Sequence, residues 1–494
     1  MASRAIGRRP GTAGPARHFG GNGYGVVEVI DRPGTTHLGN RRRPGRAPGR
    51  GAGSAARCAA RNGSPTPGLT AAGTPFFAPR SEPSITSATI HRGDALSRRE
   101  RLGYVLILGA LTALGPFTID LYLPAFPVLE TDLDVPATLI QLTLTGTTLG
   151  FALGQLLVGP WSDRVGRRMP IIAASSLHVL ACVGAALAPD IWSLGAFRVL
   201  QGVGAAAGVV VAMAMVRDLF GGRPLVVMLS RLALVSGLAP ILAPVIGSQL
   251  LLVTNWRGIF WFLAAYGAIV VAVASVFIVE TLPKEARHDP GHSTTGQRYR
   301  AVLTDPVFVG VALIGGMTFS GLFSYLSASS FLFQQVHGFD AQQFGLFFAI
   351  NSLGIVGGTQ LTARLTKFIA PQWIIAFSTS ALFVCALLIV AFDRVGFGLW
   401  GTLVPLWFFI FCCGLTLPCV QVLALNAHGH EAGTAASLLG AANFGLAGLI
   451  SPLVGLMGIG SATPMAVVMA GTALAGILSL WFIVRPARVP ALAA

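Results

Sequence analysis

The chain has 494 residues, of which 53% are hydrophobic and only 11% charged, and its mean hydropathy is +0.70. Soluble globular domains carry about 25% charged residues, so the composition excludes an ordinary soluble domain and points to a chain solvated by lipid. The net charge of +15 says little about partners, because roughly half of the arginines lie in the first hundred residues.

That leader, residues 1–100, is rich in Arg, Gly, Ala and Pro, as in RRRPGRAPGRGAGSAARCAARNGS. It lacks apolar periodicity, which is expected of a disordered segment. No apolar h-region follows Met1, so it does not read as a secretory signal. A dispensable tail or over-long start, a transit-like leader, and a segment touching anionic lipid or nucleic acid all stay open for it. For the protein as a whole no nucleic-acid partner is expected.

From Leu102 onward, apolar windows of about 20 residues recur, the length that crosses a bilayer core. They predict spans over 103–127, 137–161, 169–188, 192–216, 225–252 and 257–279, then 305–333, 341–365, 372–391, 396–425, 431–459 and 461–484. The polar break ETLPKEARHDPGHSTTGQRYR, Glu280 to Arg300, divides them six and six. The expected organisation is a leader (1–100), an N-terminal six-helix bundle (101–280), a cytoplasmic linker (281–304), a C-terminal six-helix bundle (305–485) and a short tail (486–494). GQLLVGPWSDRVGRRMPII and GGTQLTARLTKFIAPQWII, six spans apart, echo each other as repeated halves do.

Lys and Arg in short loops set orientation. Arg164, Arg167 and Arg168 follow span 2, Arg217 and Arg223 follow span 4, Lys284, Arg287, Arg298 and Arg300 fill the break, and Arg364 and Lys367 follow span 8. All fall on one side, which is expected to be cytoplasmic, with both termini. The alternate loops, ETDLDVP, APD and HGFD, are acidic or nearly neutral.

Within span 1, TALGPFTIDLYLPAFP holds Asp120, the one acid placed well away from a membrane boundary. A mid-helix Asp costs about 2.5–3.5 kcal/mol on insertion scales, and such residues usually face a bundle interior or water-filled cavity. A proton and substrate site, a structural carboxylate met by a neighbouring helix, and a residue at the external mouth are the competing readings. Phe117, Tyr122, Gln141 and Asn351 are candidate cavity residues, although an interhelical hydrogen bond or an apolar face explains any one of them as well. His178 in span 3 reads as a satisfied bundle histidine, and HGHE at His428–Glu431 as a solvated turn rather than a metal chelate. Cys182, Cys385, Cys412, Cys413 and Cys419 lie in apolar segments with no CxxC pair, as buried thiols do; Cys58 lies in the leader.

The most specific pattern is GPWSDRVGRRMP, in which Gly159, Asp163, Arg164, Gly166, Arg167 and Arg168 stand at G-x-x-x-D-R-x-G-R-R spacing between two spans. It resembles the signature loop of the major facilitator superfamily. RVLQGVGAAAGVVVAMAMVRD, with Arg198 followed by Gln201, Gly202 and Gly204, is similar to the family's span-4 motif. SGLAPILAPVIGS resembles the span-5 motif of its drug:proton antiporters through Pro240, Pro244 and Gly247, departing at Ala243 and Ser248 where Gly is preferred. TIDLYLPAFP and GTAASLLGAANFGLAG look like the Bcr/CflA branch of multidrug efflux transporters. The resemblance covers about Leu102 to Arg485.

It implies an all-α membrane protein of twelve transmembrane helices in two six-helix pseudo-symmetric bundles. It further implies a secondary exporter of drugs, chloramphenicol- or bicyclomycin-like, exchanged for protons by alternating access in the cell (inner) membrane. Asp120 and Arg198 would couple proton to substrate, and the Asp163–Arg168 loop with Arg217 and Asp218 would latch the cytoplasmic gate. No cofactor is expected, since the proton gradient drives the cycle, and no metal; the partners are a drug, protons and the bilayer, and the chain is expected to act as a monomer. A proton-coupled carrier of an endogenous metabolite is the alternative. An enzyme is disfavoured, because no GxSxG, HExxH or Walker A sequence occurs.

Overall fold

The computed structural model describes residues 93, 96–284, 287, 295–426, 432–458 and 460–489. The chain divides after Ser84, and every described residue belongs to the unit Ile85–Ala494. The leader up to Arg92, Cys58 and the His428–Glu431 turn lie outside the described residues.

Among these residues, twelve helices are long and apolar enough to cross a membrane: Arg98–Leu133, Ala137–Val165, Arg168–Ala186, Ile191–Leu219, Gly222–Val253 and Trp256–Phe277, then Pro306–Val336, Ala341–Leu365, Pro371–Val395, Gly398–Asn426, Gly433–Met457 and Thr463–Arg488. They are spans 1 to 12 below, and each expected span falls on one of them. Span 1 starts earlier than its apolar window because Ser97 caps it. The Ser97 hydroxyl accepts the Glu100 N–H (3.3 Å), and the Glu100 carboxylate accepts the Ser97 N–H (2.7 Å), a capping box that needs no apolar residue.

Span 1 is not one continuous helix. Its regular part ends at Asp120, and the chain turns through Leu123–Ala125 before helix Phe126–Leu133. Pro124 has no N–H to return to the Asp120 carbonyl four residues earlier, so the ladder stops there. Broken helices at membrane depth occur where they line a cavity or are buried in protein.

The packing repeats with an offset of six. Span 2 lies on span 4 as span 8 lies on span 10; span 1 lies on 5 as 7 on 11, and span 3 on 6 as 9 on 12. Small residues permit these approaches, since lipid offers helices no hydrophobic reason to associate. A Cβ on Gly150 would sit 2.1 Å from the Val199 carbonyl oxygen, and one on Gly358 would sit 2.1 Å from that of Phe411. The halves meet along span 2 against span 11 and span 5 against span 8.

Candidate functional site

A cavity of about 310 Å³ lies between the halves, lined by spans 1, 2, 4, 5, 7, 8, 10 and 11. Asp120 is in its wall, 5% exposed, with no hydrogen-bond or ion-pair partner among the described residues. Five phenylalanines, Phe151, Phe319, Phe323, Phe348 and Phe444, and Tyr325 share this wall. Phe151 stacks on Phe444 across the two halves (centroids 4.9 Å), and Phe444 meets Phe319 edge-on at 5.0 Å. Asn351 lines the same space and donates through Nδ2 to the Tyr325 hydroxyl (3.2 Å), which also faces it.

Span 5 reaches this wall through Ser236 and Pro240. Pro244 lacks the N–H that would serve the Pro240 carbonyl; the Ser352 hydroxyl of span 8, in the other half, lies 3.4 Å from that carbonyl while donating mainly to the Phe348 carbonyl of its own helix (2.9 Å). Gly247 lets span 5 touch the chain beside Asp120, because a Cβ there would lie 1.9 Å from the Leu121 carbonyl oxygen.

The cavity continues toward the end that carries the Arg-rich loops. A second space of about 390 Å³ shares Gln155, Val209, Phe319 and Ile355 with the first and ends among Asp163, Arg217 and Tyr299. At the opposite end the halves are bonded together. Ser330 donates to the Leu123 carbonyl (2.7 Å), Gln334 to that of Pro124 (3.1 Å), and Gln335 to the Glu130 carboxylate (2.6 Å). The molecule is therefore open at its basic end and sealed beyond Asp120.

Arg198 is 0% exposed and lines neither space, so it does not snorkel to headgroups. Its guanidinium lies 4.3 Å from the Tyr122 ring centroid, and Nη1 donates to the Thr118 carbonyl (2.8 Å) and Gln201 Oε1 (3.0 Å). Nε and Nη2 have no partner among the described residues, and no ion pair joins it to Asp120. The bond to Thr118 nonetheless fixes the helical turn that carries Asp120. Tyr122 is fully buried over this cation and bonds to Thr143. Gln141 donates to the Ser327 carbonyl across the sealed end (3.1 Å), and Phe117 packs on Tyr266 (5.3 Å). Of the four sequence candidates, Asn351 alone lines the cavity.

The basic loop forms a brace within the first half. Arg167 bonds Asp163 (2.5 Å), Asp218 (2.9 Å) and the Ser162 hydroxyl (2.9 Å), and Thr281 donates to Asp218 (3.2 Å). Glu280 closes it, accepting the backbone N–H of Arg167 (2.8 Å), Arg168 (3.2 Å) and Leu282 (3.0 Å). Burial works against its charge, but these three donors hold the Glu280 carboxyl below its ordinary value of 4.5. Gly166 turns the chain at φ 112°, and a Cβ there would strike this carboxylate. Arg168 donates to the Ser275 carbonyl (2.7 Å); Arg164 and Arg217 are exposed beside the brace. Gly159 faces Ser437 of span 11 closely, since a Cβ there would stand only 3.0 Å from the Ser437 hydroxyl oxygen.

The family model of the Major Facilitator Superfamily matches residues 106–452. An uncharacterized MFS-type transporter YdgK of Bacillus subtilis is 35% identical over 78% of this chain and 96% of its own length. A bicyclomycin resistance protein homolog of Haemophilus influenzae is 29% identical over 77% and 96%. The xylose transporter XylE from E. coli, solved in a partially occluded inward open conformation, superposes with a TM-score of 0.63 at 13% identity, over 80% of this chain and 99% of that one.

The chain belongs to the major facilitator superfamily.

Within that fold, sequence reasoning found Asp120, the brace and the span-5 prolines. It missed Glu280, Gln155, Tyr325 and the five cavity phenylalanines. Glu280 carried a weak signal, an acid placed where span 6 ends; the phenylalanines carried none. His178 is buried, with Nδ1 at 3.2 Å from the Gln201 carbonyl oxygen, and the five described cysteines are buried and free.

Proposed function

We propose that this protein exports drug-like molecules in exchange for protons by alternating access, with Asp120 as the shared site. The observation that carries the reading is a lone carboxylate deep in an aromatic-walled space between two pseudo-symmetric halves. A volume of about 310 Å³ is at the lower end of small-molecule sites. The names of the relatives, bicyclomycin resistance protein homolog and multidrug resistance protein, support amphipathic antibiotics as cargo, chloramphenicol- or bicyclomycin-like. The positive-inside rule makes the Arg-rich end cytoplasmic, with both termini there and the chain in the cell (inner) membrane.

A drug then enters from the cytoplasm and lies against Phe151, Phe319 and Phe444 with Asp120 ionised. Rocking breaks the seal around Leu123, Pro124 and Glu130 and opens the cavity outward. A proton from outside neutralises Asp120, and the drug leaves. Binding linkage requires proton and drug each to weaken the other. The gradient supplies the energy, without a cofactor, and one chain holds the whole path.

The test is a proteoliposome assay with an imposed pH gradient, scored beside resistance in a pump-deficient host. Asp120→Asn is expected to abolish gradient-driven drug efflux and drug-induced proton release while reaching the membrane normally; Asp120→Glu keeps part of both. Full efflux by the Asn variant would remove Asp120 from the mechanism.

A further inference from the structure

We propose that the groove between the basic ends of spans 1 and 5 binds one anionic phospholipid through its phosphate. The groove has a volume of about 510 Å³ and is rimmed by Arg98, Arg101, Arg223 and Arg231. Its floor is apolar, with Leu102 and Val227 exposed in it. It shares no residue with the central cavity or its mouth.

Arg231 decides the assignment. It stands nine residues past Gly222, where span 5 begins, which is about 13 Å along the axis. It also precedes the cavity-lining Pro240 by nine residues, two and a half turns, and so points to the opposite side of the helix. Val227, Leu234 and Leu238 are exposed on that same outer face. An arginine there meets acyl chains unless its guanidinium reaches up to an anion. Arg98, Arg223 and Arg231 have no hydrogen-bond or ion-pair partner among the described residues.

Guanidinium groups fit a phosphate in bidentate fashion, and basic clusters beside a span attract anionic headgroups. A lipid phosphate at the rim, with an acyl chain over Leu102 and Val227, uses both parts of the groove. A free anion uses only the rim.

The test is native mass spectrometry of the full chain in mild detergent, titrated with phosphatidylglycerol or with phosphatidylcholine of matched chains. One phosphatidylglycerol is expected to be retained at least tenfold more tightly than phosphatidylcholine. Replacing Arg98, Arg223 and Arg231 together by Gln brings the two lipids level, while Arg364→Gln with Lys367→Gln changes nothing. Equal retention by the unmodified chain, or a preference that survives the triple change, overturns the proposal. So does displacement of phosphatidylglycerol by millimolar inorganic phosphate, which would make this a free-anion site. Should the triple variant fail to fold, Arg231→Gln alone is expected to weaken phosphatidylglycerol about threefold, and an unchanged affinity rejects the site.

Discussion

Glu280 holds two backbone N–H groups at the start of span 3 and that of Leu282, and it abuts Gly166, so these two residues test the brace directly. Gly166→Ala adds a Cβ at φ 112° in a region almost reserved for glycine, and is expected to cost about 1–3 kcal/mol; a lowered melting temperature in detergent checks it. Glu280→Gln keeps one acceptor and loses the charge, so a loss of about 1 kcal/mol is expected. The carboxyl's folded value is depressed, so its contribution is complete above the ordinary carboxylate range and disappears as pH falls through the lower, folded value. Acidification below pH 4.5 should therefore narrow the melting difference between the variant and the unmodified chain. Asp120 was legible because a carboxylate among apolar residues is costly wherever it sits. Phe151, Phe319, Phe323 and Phe444 were not, since a phenylalanine facing a cavity and one facing lipid look the same along a chain. Arg198 was half legible: its span was evident, but its burial under Tyr122 depends on a contact 76 residues distant in sequence, which no local pattern records.

Elements were the most readable level, because a bilayer demands about 20 apolar residues per helix. Span 8 matches its expectation at both ends, 341–365. Departures came from a polar device outside the apolar window, the capping box at Ser97, and from the Pro124 break inside it, after which helix Phe126–Leu133 carries span 1 on to Leu133. What composition could not reveal is which glycines bring helices together. Gly150 touches the Val199 carbonyl of span 4, whereas a Cβ on Gly195 meets nothing within 4 Å. Gly150→Ala is accordingly expected to lower the melting temperature, costing about 1–3 kcal/mol as spans 2 and 4 are pushed apart. Gly195→Ala on span 4 leaves it unchanged or slightly raised, since alanine is the better helix former. Equal behaviour of the two variants would contradict the packing.

At the scale of the whole molecule, the seal beyond Asp120 and the open path to the Arg-rich end match one of the two states that the proposed exchange requires. If the halves rock, Glu130 and Gln335, in contact across the seal at 2.6 Å, must separate in every cycle. Placing cysteines at both positions in a Cys58→Ala background and joining them through disulfides with a short bis-methanethiosulfonate should stop transport. Reductant should restore it, and either single cysteine should leave transport intact. Undiminished flux through the linked protein would show that this interface need not open. The two-half plan was visible in the six-and-six division of the spans. Which end is sealed was not, because that depends on contacts such as Ser330 to Leu123, 207 residues apart in sequence.

The echo between the halves is imperfect where it concerns charge. The turn after span 2 is clamped by Asp163, Asp218 and Glu280, whereas Arg364 and Lys367 in the corresponding turn after span 8 have no ion-pair partner among the described residues. That turn is held by local backbone bonds such as Thr366 N–H to the Thr362 carbonyl (2.9 Å). Twin joints of one ancestral design thus carry unequal stiffness. Deuterium should penetrate the amides of the second joint well before those of the first, and a pulse-labelling time course that finds them protected alike would erase the asymmetry.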